Sequence, residues 1–203
     1  MAGVQTLPRE VLLDSDGVRI RTPPVAELKS LRAPGSSWRG ANVSVAAGAT
    51  RTLGAAGGAS TEVQAALVVP PAEAFDCAVL LGPPGPGPAG QSEVTTPTTL
   101  GLSRAKEGGA VQSYLVAANT TRATFAQLPA TVDLTQPVGV RAFMDQGIVE
   151  SYWSEGRVVM TAALQPGTFG GGIALGASAT RACKWASVEA WRMTRAGQYS
   201  SAS

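Results

Sequence analysis

The chain has 203 residues, 44% of them hydrophobic and only 15% charged, with 24 glycines, 14 prolines and a formal net charge of +2. That length suits one domain with a real core, and the composition favours a loop-rich all-β domain over a helical bundle. The small basic excess is scattered, so no nucleic-acid partner is expected, and the absence of histidine removes Ser-His-Asp and Cys-His nucleophilic sites and most zinc sites.

Residues 7–32, "LPREVLLDSDGVRIRTPPVAELKSLR", open the patterned sequence. "REVLLD" and "VRIRT" flank Asp16-Gly17, a hairpin-turn signal. Thr22 is then placed to cap a short helix whose first position is a proline, with Val25, Leu28 and Leu31 on one face. Residues 33–60 are small and flexible in character and read as loop with one weak strand. From Thr61 the alternation is clear: Val63, Ala65, Leu67 and Val69 point one way, Glu62 and Gln64 the other, as in a half-buried strand.

"FDCAVLL" (75–81) reads as the next strand. The prolines of 82–99 exclude a central strand or helix and indicate a long surface loop. "LGLSRA" and "SYLVAA" sit at hairpin spacing around Glu107-Gly108-Gly109. A three-strand meander follows: "VGVRAFMD" turns at Gln146-Gly147, "IVESYW" turns at Ser154-Glu155-Gly156, and "RVVMTAAL" completes it. "GTFGGGIALGAS" has neither phosphate-loop lysine nor dinucleotide-binding spacing and reads as loop plus short strand. "ASVEAWRM" is the final strand, and "GQYSSAS" a polar tail. Many short strands with Gly/Pro punctuation indicate an antiparallel sandwich.

Two cysteines, Cys77 and Cys183, are too few for a structural metal site. A disulfide and a pair of buried thiols both fit, which leaves the redox compartment open. No metal or cofactor is expected. No segment is long enough to span a membrane, and the N-terminus lacks a signal-peptide layout. Two sequons, Asn42-Val43-Ser44 and Asn119-Thr120-Thr121, are weakly consistent with secretion. The densest basic group, Arg181, Lys184, Arg192 and Arg195, is interrupted by apolar sequence and reads as a solvated face.

Asp145 and Glu150 are the tempting acid pair. Glycoside hydrolysis needs two carboxyl groups facing a sugar across roughly 5–9.5 Å, but a turn separates these two, and no third acid or charged clamp lies nearby. Both read as structural or solvent-facing. Tyr152 and Trp153 alternate across their strand, so at most one faces the core or a ligand groove from a regular strand. A packing role is the simpler reading for either, and sugar stacking the sharper one.

"VGVRAFMDQGIVESYWSEGRVVMTAAL" resembles the C-terminal β-sandwich of glycoside hydrolase family 32, the invertases, inulinases and levanases. The matching positions are Phe143, Asp145, Val149, Glu150, Tyr152, Gly156 and Thr161, and "VEAWRM", with Trp191, is similar to the family's closing strand. "LPREVLL" is similar to the segment that finishes the catalytic propeller, and "PPVAELKSLR" to the linker helix that follows it. "YLVAANTT" lacks the family's aspartate-arginine pair, and Gln146-Gly147 replaces the serine after the turn aspartate.

The resemblance implies an all-β, antiparallel two-sheet sandwich of the jelly-roll or concanavalin-like kind, with a short N-terminal linker helix. Residues 1–35 would form the propeller's end plus linker, 36–196 the sandwich, and 197–203 the tail. The family's nucleophile, stabilising acid and acid/base glutamate lie in motifs of the N-terminal five-bladed propeller. None of those strings occurs here, so no catalytic residue carries over. The implied role is accessory: stability, interdomain packing or oligomerisation for a β-fructosidase, with that propeller as partner, a homodimer or a carbohydrate as further partners, and exposed apolar surface around "REVLL". A parent resembling eukaryotic invertases would be extracellular or vacuolar. A free-standing carbohydrate-binding module and a sandwich interaction protein unrelated to sugars are the alternatives.

Overall fold

In the computed structural model, residues 6–53, 60–82, 97–117, 123–145, 147–164 and 172–194 are described. Their strands are β1 (Leu12–Leu13), β2 (Ile20–Arg21), β3 (Arg32–Val45), β4 (Thr50–Leu53), β5 (Ser60–Val68), β6 (Phe75–Leu81), β7 (Thr98–Arg104), β8 (Gln112–Val116), β9 (Ala123–Gln127), β10 (Val138–Asp145), β11 (Ile148–Trp153), β12 (Val158–Ala163), β13 (Ile173–Ala177) and β14 (Cys183–Met193). They build two six-stranded sheets. The first has the order β12-β11-β10-β5-β14-β3, the second β4-β13-β6-β7-β8-β9, and β1 and β2 form a separate hairpin. Every strand pair is antiparallel.

Alternation decides which residues lie between the sheets. Val63, Ala65 and Leu67 of β5 meet Phe75, Cys77, Val79 and Leu81 of β6 in one cluster, together with Val140, Val149, Trp153, Trp185 and Leu175. Cys77 of the second sheet and Cys183 of the first form a disulfide, with Cα atoms 5.8 Å apart and a sequence separation of 106. The bond therefore joins the two layers across the core and resolves the choice between bridge and thiols.

The meander β10-β11-β12 forms as the sequence indicates. Other parts differ. Residues 33–60 carry two strands, β3 and β4, rather than loop with one weak strand. β3 is rich in Gly, Ser and Ala and lies at the sheet edge, where pairing with β14 supplies what side-chain propensity does not. β9 likewise went unread; it is a short, largely exposed edge strand. The expected helix is a 3-10 helix over Ala26–Leu31, preceded by Val25 with no side-chain cap, so Thr22 does not cap it. Its apolar face is as expected, because three residues per turn align Val25, Leu28 and Leu31, and all three join one cluster. Positions 83–96, Asn119, Gln146, 165–171 and the tail from Arg195 lie outside the described residues.

Candidate functional site

The outer face of the first sheet is where the signature residues meet. Register places Thr161, Glu150, Phe143, Glu62, Trp191 and Ser37 side by side in one row that crosses all six strands. Four of the six are residues of the sequence signature or closing strand. Glu62 points away from the core side of β5, as its alternation indicates, and is nevertheless fully buried.

Glu62 sits between two aromatic rings, each carrying an arginine. The Arg32 guanidinium lies 3.4 Å from the Trp191 ring centre, and that of Arg141 lies 4.8 Å from the Phe143 centre. Arg32 donates to both carboxylate oxygens at 2.8 and 2.7 Å, Arg141 Nε donates at 2.7 Å and Gln64 Nε2 at 2.9 Å. Burial alone would raise the Glu62 pKa, but the bonds and charges of the two arginines outweigh it and hold the carboxyl below its ordinary range. Within strand β5 only Gln64 contributes; the two arginines come from 30 and 79 positions away.

Glu150 is the second buried acid. It accepts from the Leu7 backbone N–H (2.9 Å), Arg9 Nη2 (2.8 Å), the Tyr152 hydroxyl (2.9 Å) and Thr161 Oγ1 (3.1 Å). Four donors fill the acceptor capacity of a carboxylate, which leaves it no free site for a reacting group. Arg9 Nε also donates to the Tyr152 hydroxyl at 3.3 Å. Burial, then the neighbouring Glu150 charge and hydrogen bond, push the Tyr152 phenol up to about 12. Asp145 is exposed and accepts from Ser60 Oγ at 2.6 Å.

These contacts make the signature a seat for residues 7–31. Phe143 and Tyr152 meet edge to face, 6.1 Å between centres, and Leu28, Leu7, Val25 and Leu31 pack on them. Asp14 is held by a two-pronged Arg157 at 2.7 and 2.6 Å, which lowers its pKa. Arg21 pairs with Glu155 at 2.8 Å. At Gly156 the two backbones touch: a Cβ there would stand 2.5 Å from both Thr22 C and Pro23 N, and its φ is +81°. Val149 belongs to the core between the sheets.

Tyr152 and Trp153 do lie on opposite faces, but both are buried, at 1% and 0% exposure. Residues 7–31 pack over Tyr152 on the outer face, and Trp153 lies in the core between the sheets. A groove of about 560 Å³ runs beside this seat, lined by Pro24, Lys29, Gln64, Ala66, Tyr152 and Glu189 among others. Among the described residues, no group of three or more Cys, Asp or Glu is placed to hold a metal, and no helix is long and apolar enough to cross a membrane.

No curated protein sequence matches the chain. Solved structures do. The fructan 1-exohydrolase IIa of Cichorium intybus superposes with a TM-score of 0.74 at 13% identity, covering 94% of this chain and 41% of that one. An exo-inulinase from Aspergillus awamori gives 0.66 at 19% identity, covering 93% and 35%. A β-fructofuranosidase from Bombyx mori gives 0.58 at 17% identity, covering 94% and 33%. At such identities the likeness is one of fold, and the chain spans well under half the length of each. The profile described as "Glycosyl hydrolases family 32 C terminal" matches residues 27–192, most of the chain. The chain therefore belongs to the family of glycosyl hydrolase family 32 C-terminal domains.

Proposed function

We propose that the chain serves as the accessory sandwich of a β-fructosidase-like hydrolase, docking an upstream propeller that carries the catalysis. One observation carries this reading. Val11, Leu13, Val18 and Ile20 of the hairpin are between 62% and 82% exposed, whereas Asp14 and Arg21 of the same hairpin are tied to the sandwich. Leu13 pairs with Ile20 across the hairpin, Val11 precedes Leu13 by two positions, and Val18 lies in the bend that leads into β2. Four exposed aliphatic side chains on a clamped hairpin make an adhesive stripe of the kind that marks an interaction surface. The coding sequence upstream of the Met1 codon is expected to encode the propeller; an unrelated or non-coding upstream region would overturn the reading. The chain alone is expected to release no fructose from sucrose or inulin, and turnover lost in Asp145→Asn would also overturn it. Light scattering of wild type and a Val18→Lys/Ile20→Lys variant separates propeller docking from a homodimer built on the same stripe.

A second reading, carbohydrate binding, is favoured by the groove. Its lining combines the donors of Lys29 and the acceptors of Glu189 and Gln64 with apolar surface that includes Pro24 and Tyr152, a mixture suited to a neutral polyhydroxyl ligand. Affinity electrophoresis in inulin and levan tests it. Retardation lost in Lys29→Ala or Glu189→Ala supports the reading, and free migration of the wild type ends it.

A further inference from the structure

We infer that Asn42 is an N-glycosylation site, and that its glycan shields the free edge of the first sheet. The triplet Asn42-Val43-Ser44 has the acceptor pattern, with a middle residue other than proline. Many such triplets are inert because the asparagine is buried or its amide is engaged. Here Asn42 and Ser44 are both exposed while Val43 between them is core. β3 is the terminal strand of its sheet, so among the described residues no strand pairs with its outer side.

The local backbone sets this position apart. Asn42 has φ +51°, in the left-handed region that asparagine tolerates better than most residues. It stands opposite Ala186, the extra residue that β14 carries between Trp185 and Ser187 relative to β5. A bulge therefore kinks the sheet at this point, and no hydrogen bond within the described residues engages the Asn42 carboxamide.

The disulfide is an independent observation pointing to the same compartment. Cys77–Cys183 closes and persists in an oxidising lumen or outside the cell, and the secretory lumen is also where oligosaccharide is transferred to asparagine. The donor is a polyprenyl-diphosphate-linked oligosaccharide. Asn42 Nδ2 bonds to the anomeric carbon as the bond from that carbon to the diphosphate oxygen breaks. The polyprenyl diphosphate leaves with the bonding pair, Nδ2 gives up one proton to a base of the transferase, and nothing is oxidised or reduced.

A glycan on β3 supplies what unpaired edges otherwise need charges, prolines or covering loops to achieve, namely protection from pairing with a second chain. It also leaves the hairpin stripe, which belongs to a different element, free to dock. This inference does not depend on the upstream propeller.

The test directs the full chain through the secretory pathway of yeast, with Asn119→Gln in every version so that the second triplet contributes nothing. Peptide-N-glycosidase treatment should remove one mobility step and leave aspartate at position 42 in the mapped peptide. Asn42→Gln should lack the step, and so should Ser44→Ala, which keeps the asparagine. Ser44→Thr should retain it. Secreted and cell-retained chains are both mapped, so a variant that fails to leave the cell is still read. An unmodified Asn42 peptide in both pools would overturn the inference.

Discussion

Thr22 donates its backbone N–H to the Gly156 carbonyl at 2.9 Å, joining the linker to the turn that ends β11. Here the backbones of residues 7–31 and of the sandwich touch directly, which explains why glycine stands in the turn. Any side chain at 156 meets the Thr22–Pro23 backbone and also adopts an unfavourable φ. Gly156→Ala is expected to lower stability by about 2 kcal/mol, more than a turn glycine alone would account for. Trypsin should then cut at Arg9, Arg19 or Arg21 before the sandwich unfolds. Wild-type resistance in the variant would show that the seat does not depend on this contact.

The buried glutamates Glu62 and Glu150 should fail differently. Glu62→Ala leaves Arg32 and Arg141 facing each other without their carboxylate, and loss of a buried charge partner costs about 3–5 kcal/mol. Because Glu62 lies in the middle of the first sheet, that loss should appear in the global urea transition. Glu150→Ala is expected to release the amino-terminal segment first, since two of its four donors, Leu7 and Arg9, come from there. Hydrogen exchange of residues 7–24 should accelerate while β5 and β14 stay protected.

Removing the Cys77–Cys183 bond frees a loop of 106 residues. On the chain-entropy account this costs about 4–5 kcal/mol, a large share of the stability of a domain this size. A Cys77→Ala/Cys183→Ala variant should unfold at markedly lower urea, and reduction of the wild type should reproduce the shift. Equal midpoints with and without reductant would show that the bridge adds nothing.

Stability should fall in acid. Asp14, held by Arg157, and Glu62, in which the two arginines overcome the effect of burial, have folded pKa values below their ordinary 3.8 and 4.5. A depressed carboxyl contributes stability that is complete above its unfolded pKa and disappears as pH falls through the folded one. The melting temperature should therefore drop from about pH 5 downward, and Arg157→Gln should flatten part of that slope. The raised Tyr152 acts in the opposite direction: its contribution is complete below the unfolded value of 10.0 and is lost as pH rises towards about 12. Ultraviolet titration should show a phenol ionising well above the free value.

Legibility in the sequence followed the source of each element's order. β5, β6 and the β10-β11-β12 meander were readable because their alternation and turns are local. β3 was not, since its Gly- and Ser-rich sequence owes its extended form to β14 nearly 150 residues later. The seat shows the same division. Phe143, Glu150, Tyr152 and Gly156 stand out as a short run, but only register brings Glu62, Arg32 and Arg141 beside them. Tyr152 and Trp153 were assigned to opposite faces correctly, but the cover over the outer face comes from residues 7–31, and alternation within one strand carries no information about that.

The place of β14 has a consequence for synthesis. It is the last strand made, yet it lies between β5 and β3, both produced in the first third of the chain. Until it emerges, those two strands wait with unsatisfied backbone edges, and the first sheet exists only as separate pieces. Closure must come at the end and across a long loop, a slow step that exposes the nascent chain to mispairing. A ribosome stalled just before residue 183 would hold all the strands of the second sheet and four pairing strands of the first, with β3 still lacking its partner.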